Sequence, residues 1–206
     1  AAKHADHLFA VNPDLMHFLP KEKSSFLPYA ISDFHDLPQH DGRLFIDDIA
    51  HIVHAPTQRE AKGSSFILAA LEALKDELGD TLRITLVEDM AREKALSVMA
   101  TADLLIDQAV VGWYGGVAVE AMKMGVPVAS YINENDLKFV PPEMAGELPF
   151  LRITPFDIKD RVRSFLDNRD MAPELSRRGR DFVTRWHEPA GIAKQIFRTV
   201  FGTETP

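Results

Sequence analysis

ADLLIDQAVVGWYGGVAVEAMKMGVPVASY, residues 102–131, is the stretch from which the fold can be read. Leu104, Leu105, Ile106 and Asp107 form a short apolar strand, Gly112, Gly115 and Gly116 punctuate a loop, and 117–124 has the composition of a buried helix. Gly125 ends that helix, and a second strand begins at 126–127. The segment is one βαβ unit.

Its loop presents a helix N-terminus through glycines, so backbone N–H groups can approach a ligand and the helix dipole favours negative charge there. A phosphate or a sugar hydroxyl suits such a place. The helix is apolar nearly all round, which makes Glu120 the odd residue. A carboxylate in a mostly buried helix needs a partner, and two are open: a ligand hydroxyl, or Lys123 three residues on.

Working outward, the rhythm is regular from Asp48: strand 49–55, loop 56–63, helix Ser64–Leu78, strand 82–87 and helix 92–100 lead into the βαβ unit. Strands alternating with helices predict an α/β domain, a Rossmann-like doubly wound parallel sheet with right-handed crossovers. Ligands bind such sheets beyond the carboxyl ends of the strands, which singles out loops 56–63, 88–91 and 108–116. Beyond the unit come a polar helix near 135–139, a strand at 150–153, and a helical C-terminal tail of 155–166, 173–186 and 189–201, each helix opened by a proline. Before it, strand 7–11, helix 13–18, extended piece 26–29 and an Asp/His/Pro-rich loop at 32–41 do not open an α/β domain cleanly. The expected division is therefore 1–45 as linker and remnant of a preceding N-terminal domain, 46–187 as the Rossmann-like domain, and 188–206 as a C-terminal crossover helix and tail.

Composition bounds the function. The 206 residues are 46% hydrophobic and 26% charged, enough for a full core, and no apolar run approaches the length of a membrane span. A net charge of −8 argues against a non-specific nucleic-acid surface. The N-terminal residues show no signal-peptide pattern, and the chain has no cysteine, so disulfides, thiolate metal sites and a cysteine nucleophile are out; a cytoplasmic location is expected.

The loop HAPTQREAKGSS, 54–65, places Arg59 and Lys62 three apart beside Gly63, where the next helix opens. Two cations at a helix N-terminus and a strand's carboxyl end suit a diphosphate, and without a ligand they should repel one another. The alternative is a solvated surface loop. Neither a G-x-G-x-x-G fingerprint, a P-loop nor a G-x-S-x-G elbow is present. His51 and His54 point to opposite faces of a strand and cannot chelate together, so no metal is expected. The arginines of 161–185 alternate with aspartates, the pattern of a solvated helix face with ion pairs; a membrane or partner contact there is left open.

HAPTQREAKG, ITLVED, ADLLIDQ, GWYGGVAVEAMKMGVPV and WHEPAGIA, in this order, resemble the C-terminal half of a GT-B glycosyltransferase of the family-4-like group 1 type, over about 26–201. The resemblance implies a donor-binding domain for a nucleoside-diphosphate sugar, transferring the sugar with retention to an acceptor held by an N-terminal domain across a cleft. Carbohydrate, lipid and protein acceptors are all open. It assigns Arg59 and Lys62 to the diphosphate and the departing nucleoside diphosphate, Gly63, Glu88, Tyr114, Gly115, Gly116 and Glu120 to donor binding, and Glu120 specifically to the ribose. It implies no cofactor and no metal. Glu120 matches the second glutamate of the family's E-x7-E element, but the first falls on Gly112; Asp107 or Gln108 are candidates to substitute. Without the N-terminal domain this half is expected to be inactive alone, with the WHEPAGIA segment, which folds back across the domain junction, loosely docked. The competing readings are a non-catalytic nucleotide-sugar-binding module and a GT-B-like sugar-nucleotide epimerase.

Overall fold

Residues 104–106 are apolar without alternation because both faces of their strand are covered. In the computed structural model, which describes residues 4–31 and 34–202, Leu104 and Ile106 face one helical layer and Leu105 faces the other. The elements run β1 (Leu8–Ala10), β2 (Ser24–Phe26), β3 (Ala50–His54), α1 (Arg59–Lys62), α2 (Ser64–Leu78), β4 (Leu82–Leu86), α3 (Arg92–Met99), β5 (Leu104–Gln108), α4 (Gly116–Met124), β6 (Val128–Ser130), α5 (Pro142–Glu147), β7 (Phe150–Arg152), α6 (Ile158–Asp167), α7 (Met171–Trp186) and α8 (Pro189–Phe201).

Strands β3 to β7 form one parallel sheet in the order β4-β3-β5-β6-β7. The chain leaves β3 toward β4 on one side and returns to β5 on the other, so the strand order reverses at β3. That reversal opens a crevice at the carboxyl ends, where ligands of doubly wound sheets bind. On one face Ile67, Leu71 and Leu74 of α2 join Val162 and Phe165 of α6. On the other, Ala118 and Met122 of α4 meet Phe182 and Val183 of α7.

The Rossmann-like sheet agrees with the sequence reading, and several elements differ from it locally. The segment 56–63 contains a helical turn, α1, because Gly63 at φ +68° closes one helix and opens the next. Helix α5 is additional, and residues 13–17 and 134–139 are 3-10 turns. Of the three prolines expected to open helices, only Pro189 is the first residue of its helix; Pro155 precedes α6, and Pro173 lies within the first turn of α7, where its missing N–H has no bond to break. The tail arginines pair along their helices, Arg161 with Asp157, Arg163 with Asp167 and Arg177 with Asp181, and Arg169 reaches Asp48.

Residues 8–26 make a small parallel pair, β1–β2, followed by a segment that packs on the same core as α4 and α7. Phe26 meets Trp113 edge to face with centroids 5.5 Å apart, and His40 N–H donates to the Met124 carbonyl at the end of α4. Helix α8 buries Ile192 and leaves Phe201 exposed. No helix among the described residues is long and apolar enough to cross a membrane.

Candidate functional site

A cavity of about 1000 Å³ opens at the carboxyl ends of β3 and β4, between α1, α3 and the first turn of α4. Its walls carry Arg59, Lys62, Glu88, Arg92, Gly116 and Glu120. Their positions follow from the fold. On α1, Arg59 and Lys62 are three residues apart, so they project from one side of a single turn. Gly116 and Val117 begin α4 and line the cavity, and the first N–H groups of a helix have no intrahelical acceptor.

The two cations do not face each other unpaired. Lys62 Nζ donates to Asp107 Oδ1 at 2.5 Å, with the lysine side chain 15% and the aspartate side chain 0% exposed. Asp107 Oδ2 accepts the Gly115 N–H at 2.7 Å, so the carboxyl end of β5 holds both the lysine and the entry to α4. A Cβ at Gly115 would stand 2.6 Å from Lys62 Nζ; the glycine makes room for the ammonium. Arg59 forms a two-pronged pair with Glu88, Nε to Oε1 at 2.7 Å and Nη2 to Oε2 at 2.5 Å. The shared hydrogen bond raises the pKa of the guanidinium and lowers that of the carboxyl. The expected repulsion between Arg59 and Lys62 is thus offset, since each has its own carboxylate.

Glu120 does not pair with Lys123. Its Oε1 accepts from Arg92 Nη2 at 2.7 Å, at the first residue of α3, while Lys123 lies over the Phe34 ring, 4.2 Å from its centroid. No local pattern pointed to Arg92, because its partner is 28 positions away on a different helix.

Other candidates sit elsewhere. Gly63 is buried beneath Val110, and the start of α2 turns inward: Ser64 Oγ donates to His54 Nε2, while His54 Nδ1–H donates to the Ile106 carbonyl. The helix N-terminus lining the cavity is therefore that of α4, not α2. The Tyr114 side chain is wholly buried and does not line the cavity. It packs against Phe150 and Phe182, and its hydroxyl donates to His187 Nε2 at 2.9 Å. That tautomer is set by the other ring nitrogen, whose N–H donates to the Tyr29 carbonyl at 2.7 Å. Burial lowers the His187 pKa to about 4. The WHEPAGIA histidine thus ties the C-terminal segment to the loop residue just before Gly115.

Gln108 is fully used within the protein: Oε1 accepts the N–H groups of Val110 and Val111, and Nε2 donates to the Trp113 and Tyr131 carbonyls. It shapes the loop after β5. Gly112, at φ +82° with an added Cβ only 2.9 Å from the Asn133 Cβ, stands where a glutamate would be strained in its backbone and crowded by its neighbour. His51 and His54 each bond to separate partners, and no cluster among the described residues has the makings of a metal site.

No protein-family model matches the chain. It is 29% identical, over 95% of its length, to the 2-deoxystreptamine glucosyltransferase of Streptomyces kanamyceticus, of which the match spans 54%. The chain therefore corresponds to about half the length of that curated relative. Among solved structures, the Anabaena protein Alr3699/HepE in complex with UDP-glucose superimposes with a TM-score of 0.68 at 12% identity, covering 97% of this chain and 64% of that one. The C-terminal domain of LpcC, a glycosyl transferase group 1 family protein from Francisella tularensis, is covered over its whole length by 77% of this chain, with a TM-score of 0.51 and 13% identity. The fold is that of the C-terminal half of a GT-B glycosyltransferase.

Proposed function

We propose that this chain is the donor-binding half of a glycosyltransferase, which takes a nucleoside-diphosphate sugar into the cavity between α1, α3 and α4 and passes the sugar to an acceptor. One observation carries the reading: Arg59 and Lys62 share a helical turn that faces the N-terminus of α4 across a cavity at the carboxyl ends of the strands. In this reading the cations and the α4 amides neutralise the diphosphate, stabilise the departing nucleoside diphosphate, and need no metal. Glu120, with one oxygen on Arg92, offers the other to the ribose. The glucosyltransferase relative and the UDP-glucose complex of the Anabaena protein support the same class of donor. Retention at the anomeric carbon, an N-terminal domain carrying the acceptor, and a cytoplasmic setting belong to the same proposal.

The non-catalytic alternative has one observation in its favour. Gly112 stands at the first glutamate of the E-x7-E element, and a glutamate there would be strained by the positive φ and crowded by Asn133. The two readings differ in what the whole protein does once the donor is bound. Titration calorimetry of this chain with uridine, guanosine and adenosine diphosphates, and with the parent nucleosides, tests the donor site. Affinity that depends on the diphosphate supports it; equal affinity for nucleoside and nucleoside diphosphate, or none, counts against it. Transfer of labelled sugar from the preferred donor by the whole protein then decides for the enzyme; donor binding without turnover decides for the module.

A further inference from the structure

A second, smaller cavity of about 330 Å³ lies farther along the same edge of the sheet, at the carboxyl ends of β6 and β7. It shares no lining residue with the larger one. Arg152, the last residue of β7, is part of its wall, with its side chain 37% exposed. Its Nη1 is buried and donates to nothing in the described protein. Glu134 is the carboxylate nearest to it at 3.9 Å, too far for a hydrogen bond, and is 80% exposed. A guanidinium nitrogen removed from water without an acceptor is costly, and one whose counter-charge stands out in solvent is poorly compensated. Burial accordingly lowers the Arg152 pKa, with Glu134 opposing only in part.

Two further charged walls, Asp157 and Arg161, are already paired with each other. Asp157 accepts the Thr154 N–H at 2.6 Å and Arg161 Nε at 3.2 Å. Asn133 accepts the Asn135 N–H and donates to Asp136, which fixes the β6 side of the cavity. Between Thr154 and Asp157, both of which line the cavity, Phe156 is 92% exposed. A small cavity of mixed lining, with a guanidinium nitrogen lacking an acceptor in its wall and an exposed aromatic ring between two of its lining residues in the chain, has the inventory for a sugar that carries an oxyanion.

From this arrangement we propose that the loops after β6 and β7 form a subsite for an anionic saccharide, with Arg152 as the anchor for its phosphate, sulfate or carboxylate group and Phe156 as the stacking platform. The subsite stands on its own residues and does not rest on the reading of the donor cavity.

Amide chemical-shift mapping with glucose 6-phosphate, glucuronate, inorganic phosphate and glucose tests it. In the wild-type protein either anionic sugar shifts the amides of 131–135 and 153–157 and binds more tightly than glucose or phosphate. Arg152→Met weakens that binding by about tenfold or more, the loss expected for a charge-assisted hydrogen bond. Phe156→Ala brings the anionic sugars down to the affinity of phosphate and leaves phosphate itself unchanged. Absence of shifts in these loops of the wild-type protein overturns the proposal, and that result needs no variant to fold. So does binding that survives Arg152→Met, glucose binding as tightly as the anionic sugars, or phosphate binding as tightly as they do, which would mark an adventitious ion only.

Discussion

Lys62 Nζ and Asp107 Oδ1 lie 2.5 Å apart, joining the helical turn after β3 to the end of β5 across the point where the strand order reverses. The aspartate is fully buried, and its partners are the Lys62 ammonium and the Gly115 N–H. Lys62→Ala leaves that carboxylate buried with half its partners. Breaking one side of a buried pair costs about 3 kcal/mol or more, so this variant should be clearly destabilised in urea denaturation. Adding Asp107→Asn should recover part of the loss, as coupled neighbours do. An unchanged midpoint for Lys62→Ala would show that the pair carries no stability.

Arg59 presents the opposite case. Its pair with Glu88 is solvent-exposed, and such pairs contribute little to folding. Arg59→Ala should melt with the wild type, while its affinity for a nucleoside diphosphate falls about tenfold, the effect of losing a hydrogen bond to a charged group. Affinity for the unphosphorylated nucleoside should stay the same. Calorimetry with both ligands checks this, and equal losses for the two would remove Arg59 from the diphosphate.

The difference between these two cations shows what the sequence could and could not convey. HAPTQREAKG places Arg59 and Lys62 on one loop, and strand periodicity places that loop at the right end of the sheet. Which carboxylate each cation finds depends on strand order, because Asp107 becomes a neighbour of Lys62 only when β5 lies beside β3. Helix α2 was legible to the residue, since its apolar positions repeat at helical spacing between two glycines. The resemblance put Tyr114 with the donor-binding residues, whereas the burial of its ring is set by Phe150, Phe182 and His187, all distant in sequence. Arg92 left no local signal at all, as its meaning comes from a partner on another helix.

His187 gives the fold an acid sensitivity. It is buried and neutral, with its pKa lowered from 6.5 to about 4, so in this range the unfolded chain binds the proton that the folded one excludes. Stability therefore rises with pH between those two values: it is fully present above the unfolded pKa and is lost as pH falls toward the folded one. The full span amounts to roughly 3 kcal/mol for this residue. His187→Gln should be less stable at neutral pH, because the Tyr114 hydroxyl and the Tyr29 carbonyl lose well-aligned partners. It should also lose much less further stability between pH 6.5 and 4. Denaturation midpoints measured across that range check both statements, and parallel curves for the two proteins would contradict the second.

Glu120 and Arg92 allow the ribose role to be separated from a purely internal one. Their hydrogen bond of 2.7 Å uses one carboxylate oxygen and fixes the side chain at the cavity wall. If the other oxygen accepts a ribose hydroxyl, Glu120→Gln weakens a charge-assisted bond worth about 1.5 to 3 kcal/mol, and nucleoside affinity falls with or without the diphosphate. Arg92→Met keeps the carboxylate but frees its orientation, so it should cost less than Glu120→Gln. Lys123→Met should cost nothing, because Lys123 lies over Phe34 and does not line the cavity. Calorimetry on the three variants with one nucleoside and its diphosphate tests the order. If Glu120→Gln binds both ligands as the wild type does, Glu120 serves only to hold α3 against α4. If Arg92→Met loses more than Glu120→Gln, the guanidinium itself contacts the ligand and the carboxylate merely positions it.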